Sequence, residues 1–295
     1  MKTPFLIIPL LIFLLVCHNA PGDEAGKAFL DNGAIRLGVD LESGGSVFSF
    51  SRSTNRRNLL NHWDRGRFIQ QSFYGDPDGS LWGKQKWRWN PVQGGDYRGH
   101  PARLLDFNST STTLYCRSIP KHWAKGDDIT EALMEQWIVL KGNVAHIRYR
   151  FSYTGEHGHK ATHQEMPAVF VDYALPNLVF YNGDNPWKED TLTTVVPGWP
   201  NEYHKRTEPW SACVDDHNMG IGVYTPGTND ITSYRFKGSD GPGGSGCSYF
   251  APLRTLAVTK GLVMDYDVYL TIGSVPEIRK RFYEIHSTKY KDSPD

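Results

Sequence analysis

The sequence predicts an all-β protein, a large antiparallel β-sandwich with one short C-terminal helix. Three observations predict it. Apolar residues recur with a period of two in segment after segment, 29 Gly and 18 Pro punctuate those segments, and a helical repeat occurs once, near the end. A sheet with one apolar face must cover it with another layer, so strands throughout imply stacked sheets.

Taken in order, Ile35, Leu37, Val39 and Leu41 share one face of a first strand. A turn at 42–45 follows, and the return strand places Phe48 and Phe50 on one face with Val47 and Ser49 on the other. Met134 to Leu140 form a later strand that turns at 141–143. Its partner carries Ile147, Tyr149, Phe151 and Tyr153 on one side and His146, Arg148, Arg150 and Ser152 on the other. That pattern is a hairpin with one dry and one wet face. Leu262, Met264, Tyr266, Val268, Leu270 and Ile272 then alternate with more polar neighbours. Ser274 and Glu277 have capping-box spacing, and Ile278, Phe282 and Ile285 recur at helical intervals, which predicts a helix packed on a sheet edge.

Residues 1–22 read as a secretory signal. Lys2 precedes an apolar run from Phe5 to Val16, and that run is shorter than the roughly 20 apolar residues a bilayer span needs. The expected organisation is therefore a signal at 1–22 and one β-sandwich domain at 23–295, secreted and without a membrane span. Formal charge balances, 32 basic against 32 acidic residues, which removes the electrostatic case for nucleic acid as a partner. Cys116, Cys213 and Cys247 are scattered and do not have zinc-site spacing, and their pairing cannot be deduced. No metal and no cofactor are expected.

Aromatic residues are abundant: 9 Trp, 15 Tyr and 14 Phe. Several lie among hydrogen-bonding side chains. Residues 61–75 gather His62, Asp64, Arg65, Arg67, Gln70, Gln71 and Tyr74 around Trp63, Phe68 and Phe73. Were 67–73 a strand, Arg67, Ile69 and Gln71 would share one face, and Phe68, Gln70 and Ser72 the other. The next stretch holds Trp82, Trp87, Trp89, Asn90, Gln93 and Asp96 between Gly and Pro residues, and reads as a loop. A sugar asks for this mixture, because its CH faces lie on aromatic rings while its hydroxyls demand paired donors and acceptors. The plain alternatives are a surface hairpin with ordinary ion pairs and tryptophans that fill the core.

A third segment holds Glu156, His157, His159, His163 and Glu165. His163 and Glu165, two apart on a strand, point into the same space and suit proton transfer near neutral pH. His157 and His159 read as a solvated turn, since a His-x-His…Glu metal pattern is a residue or two too long here. A fourth region, with Trp187, Trp199, Tyr203, His204, Glu208 and Trp210, reads as a loop wall stiffened by Pro197, Pro200 and Pro209; Glu189, Glu202 and Glu208 are its candidate carboxylates. No nucleophile elbow, phosphate loop, dinucleotide fingerprint or HExxH motif is present.

The strands at 34–50, the stretch 61–75 and His163 to Pro167 together resemble galactose-mutarotase-like β-supersandwich proteins, which occur as sugar epimerases and as domains of glycoside hydrolases and polysaccharide lyases. The resemblance is one of overall pattern over about two thirds of the chain. Epimerases of that fold use His as acid and Glu as base, which here implies His163 and Glu165. Lyases use Tyr or His, with Arg or Asn neutralising a uronate, which implies His163, Tyr74, Arg67 and Asn90. The expectation is a secreted enzyme cleaving an extracellular polysaccharide, a lyase in preference. A glycoside hydrolase pairing Asp64 with Glu165, or a non-catalytic glycan-binding module, are the alternatives. Arg65, Arg67, Gln70, Gln71, Trp87, Trp89, Asn90, Gln93 and Asp96 are the expected sugar contacts.

Overall fold

The computed structural model of the chain describes residues 25–61, 67–239 and 244–291, with side chains through 288. The predicted signal, Asp64 and Arg65 lie outside these residues. Two large antiparallel sheets dominate. The first has seven strands in the order Lys121–His122, Pro91–Val92, Gln70–Ser72, His159–Val171, Cys247–Val258, Asp230–Phe236 and Glu202–Lys205. The second has nine, in the order Thr193–Val195, Asn177–Tyr181, Glu208–Val214, Met219–Tyr224, Val263–Ser274, Val144–Tyr153, Ala132–Lys141, Thr113–Ile119 and Arg103–Ser109. A three-stranded sheet (Lys27–Asp31, Ile35–Asp40, Ser46–Arg52) and a separate hairpin (Pro77–Trp82, Gln85–Arg88) complete the β structure.

The two large sheets bury one continuous core between them. Phe73, Met166, Val169 and Phe250 of one layer join Met134, Ile147, Phe151 and Val268 of the other, and the Phe73 and Phe151 rings stack at 3.9 Å. The alternating hairpin at 132–153 forms as its pattern dictates: Ile147, Tyr149, Phe151 and Tyr153 are buried. On its wet face Arg148 and Arg150 share Asp265 of the adjacent strand, each at 2.6 Å. The first hairpin departs from simple alternation. A bulge pairs Gly38 with Ser49 but Val39 with Val47, so Phe48 becomes the extra residue. Phe50 and Val47 enter the core, whereas Phe48 packs outside it against Phe29 at 5.6 Å.

The helix spans Val275–Lys291, and the Ser274 amide and hydroxyl both donate to Glu277 Oε2, at 2.8 and 3.0 Å. It packs on the outer face of the nine-stranded sheet, and not on an edge. Ile278 and Phe282 settle against Trp210, Ala212, Tyr224 and Tyr269. Gly222 allows that approach, because a Cβ there would stand 2.3 Å from Ile278 Cγ2. The three described cysteines are buried and form no disulfide with one another, and burial pushes the Cys213 thiol up to about 12.

Candidate functional site

The outer face of the seven-stranded sheet carries an open cleft of about 900 Å³. Strand parity puts Glu165 on that face and Met166 in the core. A bulge between Glu165 and Ala168 then returns Ala168 and Phe170 to the cleft side while Val169 and Val171 stay inside. Gln70, Ser72, Tyr74 and Tyr249 complete the floor around Glu165. Aromatic walls rise at the two edges of the sheet. One consists of Trp82 and Trp87 from the 77–88 hairpin together with Trp123, and the other of Trp199, Tyr203 and Phe236.

Glu165 is the chemical centre of this floor. It is registered opposite Ser72 on one neighbour and Leu253 on the other. Its Oε1 accepts hydrogen bonds from the Tyr249 hydroxyl at 2.6 Å and the Tyr74 hydroxyl at 2.9 Å. The residue keeps some surface toward the cleft, but its carboxyl is enclosed. Enclosure raises its pKa, and the bonds from Tyr249, Tyr74 and Ser72 offset only part of that rise. Both phenols titrate well above the ordinary value, first because they are buried and then because a carboxylate faces them. Gln164, one residue earlier and facing inward, holds Tyr74 by both backbone groups. Its Oε1 accepts from the Tyr74 amide at 2.6 Å and its Nε2 donates to the Tyr74 carbonyl at 3.0 Å.

The aromatic wall is supported in turn. Trp82 meets Trp87 edge-on at 4.8 Å and Trp123 at 5.9 Å, and the Trp87 indole N–H donates to Asn90 Oδ1 at 3.2 Å. Asn90 is itself tied to the Phe73 carbonyl at 2.7 Å. The hairpin root is clamped by Asp78, whose Oδ2 lies 2.7 Å from both His122 Nε2 and Lys125 Nζ. Against some burial, the hydrogen bonds from Lys125, Ser80 and His122 hold the Asp78 carboxyl well below the usual carboxylate range.

Of the sequence-derived candidates, His163, Glu165, Tyr74, Arg67, Gln70, Trp87 and Asn90 line the cleft. His163 is exposed, with its ring 6.2 Å from Tyr203. Four candidates do not line it. Gln71 and Gln93 point between the sheets, where Gln93 Oε1 accepts from the Gln71 amide at 3.1 Å and Gln93 Nε2 donates to Gln136 Oε1 at 3.0 Å. Trp89 is a core residue, packed on Tyr153 at 5.4 Å. Asp96 is fully buried and ties its own loop, accepting from the His100 amide at 2.8 Å and the Arg98 amide at 3.0 Å. The segment expected as a loop is in part a hairpin, so Trp82 and Trp87 are strand residues. In the fourth region Trp199 and Tyr203 reach the cleft rim, while Glu208 and Trp210 are buried beneath the helix.

Sequence reasoning missed Tyr249, Tyr234, Lys84 and Trp123 as cleft residues. Nothing local marks them, since Tyr249 meets Glu165 across a separation of 84 residues. Among the described residues, one group of His and Asp donors could hold a metal ion, and that group (Asp76, His157 and His159) does not line the cleft.

No protein-family model matches the sequence, and no curated protein matches it. Solved structures do. A galactose mutarotase-like protein from Lactobacillus casei ATCC 334 aligns with a TM-score of 0.57 at 10% identity, over 84% of this chain and 100% of that one. A galactose mutarotase related enzyme from Lactobacillus acidophilus gives 0.56 at 9% identity, over 84% and 97%. A candidate aldose 1-epimerase from Escherichia coli K12 gives 0.56 at 11% identity, over 85% and 100%. At such identities the likeness speaks for the fold. The chain has the galactose-mutarotase-like β-sandwich fold.

Proposed function

We propose that the protein is an exported carbohydrate-active enzyme that cleaves a uronate-containing polysaccharide by β-elimination, with its reaction centre at Glu165, Tyr74, Tyr249 and His163. The observation that carries this reading is the cleft floor: an enclosed carboxyl shared by two phenols, between aromatic walls. Among the described cleft-lining residues Glu165 is the one acid, against Arg67, Lys84 and Arg88. That balance suits an anionic sugar. A hydrolase needs two carboxylates flanking the bond. Its second candidate, Asp64, lies outside the described residues, and elimination needs no second acid. The apolar run from Phe5 to Val16 supports export.

In this mechanism the basic side chains face the uronate carboxylate and stabilise the charge that develops when the C5 proton leaves. His163 accepts that proton. The C4–O4 bond breaks as the C4–C5 double bond forms, and the Tyr74 hydroxyl protonates the departing oxygen. Glu165, its pKa raised by enclosure, accepts from the Tyr74 and Tyr249 hydroxyls and orients both. Sugar faces lie on Trp82 and Trp87.

A panel of uronate and neutral polysaccharides tests the reading. The expected result is an unsaturated product, seen by its near-ultraviolet absorbance, from a uronate polymer and not from neutral ones. Reducing ends without that absorbance would support a hydrolase, and binding without products a glycan-binding module. Acceleration of sugar mutarotation with no cleavage would instead match the names carried by the structural neighbours.

A further inference from the structure

Where the chain enters and leaves the root of the aromatic wall, three side chains with metal-ligating atoms converge. Asp76, His157 and His159 each offer one such atom, and all of these lie within 4.8 Å of one another. The surroundings fix each donor. Gly75 and Asp76 pair with Trp89 through the backbone, Gly75 N donating to Trp89 O at 2.8 Å and Trp89 N to Asp76 O at 3.0 Å. The His159 ring stacks on Trp89 at 4.2 Å and is buried. Its seat requires a glycine beside it, because a Cβ on Gly75 would lie 2.6 Å from His159 Cγ and Nδ1. The His157 carbonyl accepts from the Tyr153 hydroxyl at 2.7 Å, which holds the turn that presents the exposed His157 side chain.

Donor chemistry is equally specific. The Asp76 amide donates to His159 Nδ1 at 3.3 Å, so Nδ1 carries a lone pair and the ring proton resides on Nε2. The same Nδ1 stands 4.0 Å from Asp76 Oδ2. Zinc bonds to imidazole nitrogen and carboxylate oxygen are about 2.0–2.2 Å each, so an ion placed between these two atoms spans that gap with little movement. An ion at Nδ1 takes over the lone pair that the Asp76 amide otherwise meets at 3.3 Å. His157, on the surface and edge-on to His159 at 4.9 Å between rings, stands as the third donor.

We propose that Asp76, His157 and His159 form a binding site for a zinc-type divalent ion that ties the root of the Trp82–Trp87 hairpin to the strand bearing His163 and Glu165. Asp76 directly precedes the hairpin strand Pro77–Trp82, and His159 opens the strand His159–Val171. The ion would bridge the two without entering the cleft, and the site stands independently of the reaction assigned to that cleft.

Equilibrium dialysis of the full-length protein against zinc chloride, after chelator treatment, tests this alongside thermal denaturation. One ion per chain and a zinc-dependent rise in Tm are expected. His157→Ala, at an exposed position, should leave the zinc-free Tm unchanged yet raise the zinc Kd by about tenfold or more, and Asp76→Asn should do likewise. His217→Ala, at an exposed histidine elsewhere, should change neither. Absence of uptake at one ion per chain, or uptake indifferent to both His157→Ala and Asp76→Asn, would overturn the site. His159→Gln is the less decisive variant because it also removes the ring packed on Trp89.

Discussion

Glu165 and Glu208 are both enclosed carboxyls that receive a tyrosine hydroxyl, on opposite sides of the molecule. Under the helix, Glu208 Oε1 accepts from the Tyr283 hydroxyl at 2.6 Å and the Trp187 amide at 2.7 Å, and Oε2 accepts from the Trp210 indole at 2.6 Å. Arg279 stands 3.3 Å away, so a cation balances it. At the cleft, Glu165 is held by two phenols, and no guanidinium or ammonium among the described residues forms an ion pair with it. The difference separates two uses of one residue type. A carboxylate paired with a buried cation fastens a helix to a sheet. A carboxyl bonded only by neutral hydroxyls, its pKa raised by enclosure, faces an open cleft instead.

That contrast can be broken by substitution. Glu165→Gln should lower turnover about a hundred- to ten-thousandfold on the best substrate while unfolding stays within about 1 kcal/mol of wild type, measured by steady-state rates and urea denaturation. Glu208→Ala should do the converse. It strands Arg279 in a buried position and should cost about 3–5 kcal/mol, read as a large fall in denaturation midpoint, with the cleft chemistry intact in whatever folds. Comparable destabilisation by both variants would erase the distinction between them.

Smaller effects sharpen it. Trp87→Ala removes one stacking face and should raise KM roughly two- to tenfold at nearly constant kcat, matching about 0.5–1.5 kcal/mol. The smallest effect is in pH dependence. Because the Glu165 carboxyl titrates higher folded than unfolded, its contribution to stability is complete below the ordinary carboxylate range and is lost as pH rises through the raised value. Midpoints measured across that interval should therefore fall with pH in wild type and flatten in Glu165→Gln. A parallel decline in the variant would assign the slope to another group.

Much of the architecture could be read before any coordinates, because it rests on local periodicity. The buried run Ile147, Tyr149, Phe151 and Tyr153 needs only a strand with one dry side. Facing was harder. Gln70 and Gln71 must point opposite ways, but which of them lines the cleft and which meets Gln93 depends on the layer each side faces. Bulges defeat parity outright, as Phe48 shows at the first hairpin. Trp87 and Trp89 share parity yet part company, since the chain leaves the hairpin after Arg88 and dives into the core. The Tyr249 contact to Glu165 arises from strand pairing across most of the fold, and no window of sequence contains it.

The 77–88 hairpin projects from the body on the Asp78 clamp, and most of its residues outside the tryptophans are exposed. Its turn at 83–84 contributes nothing to the interior. Evolution could therefore lengthen, shorten or exchange this arm and so reshape one wall of the cleft, while the sandwich beneath it goes on folding unchanged.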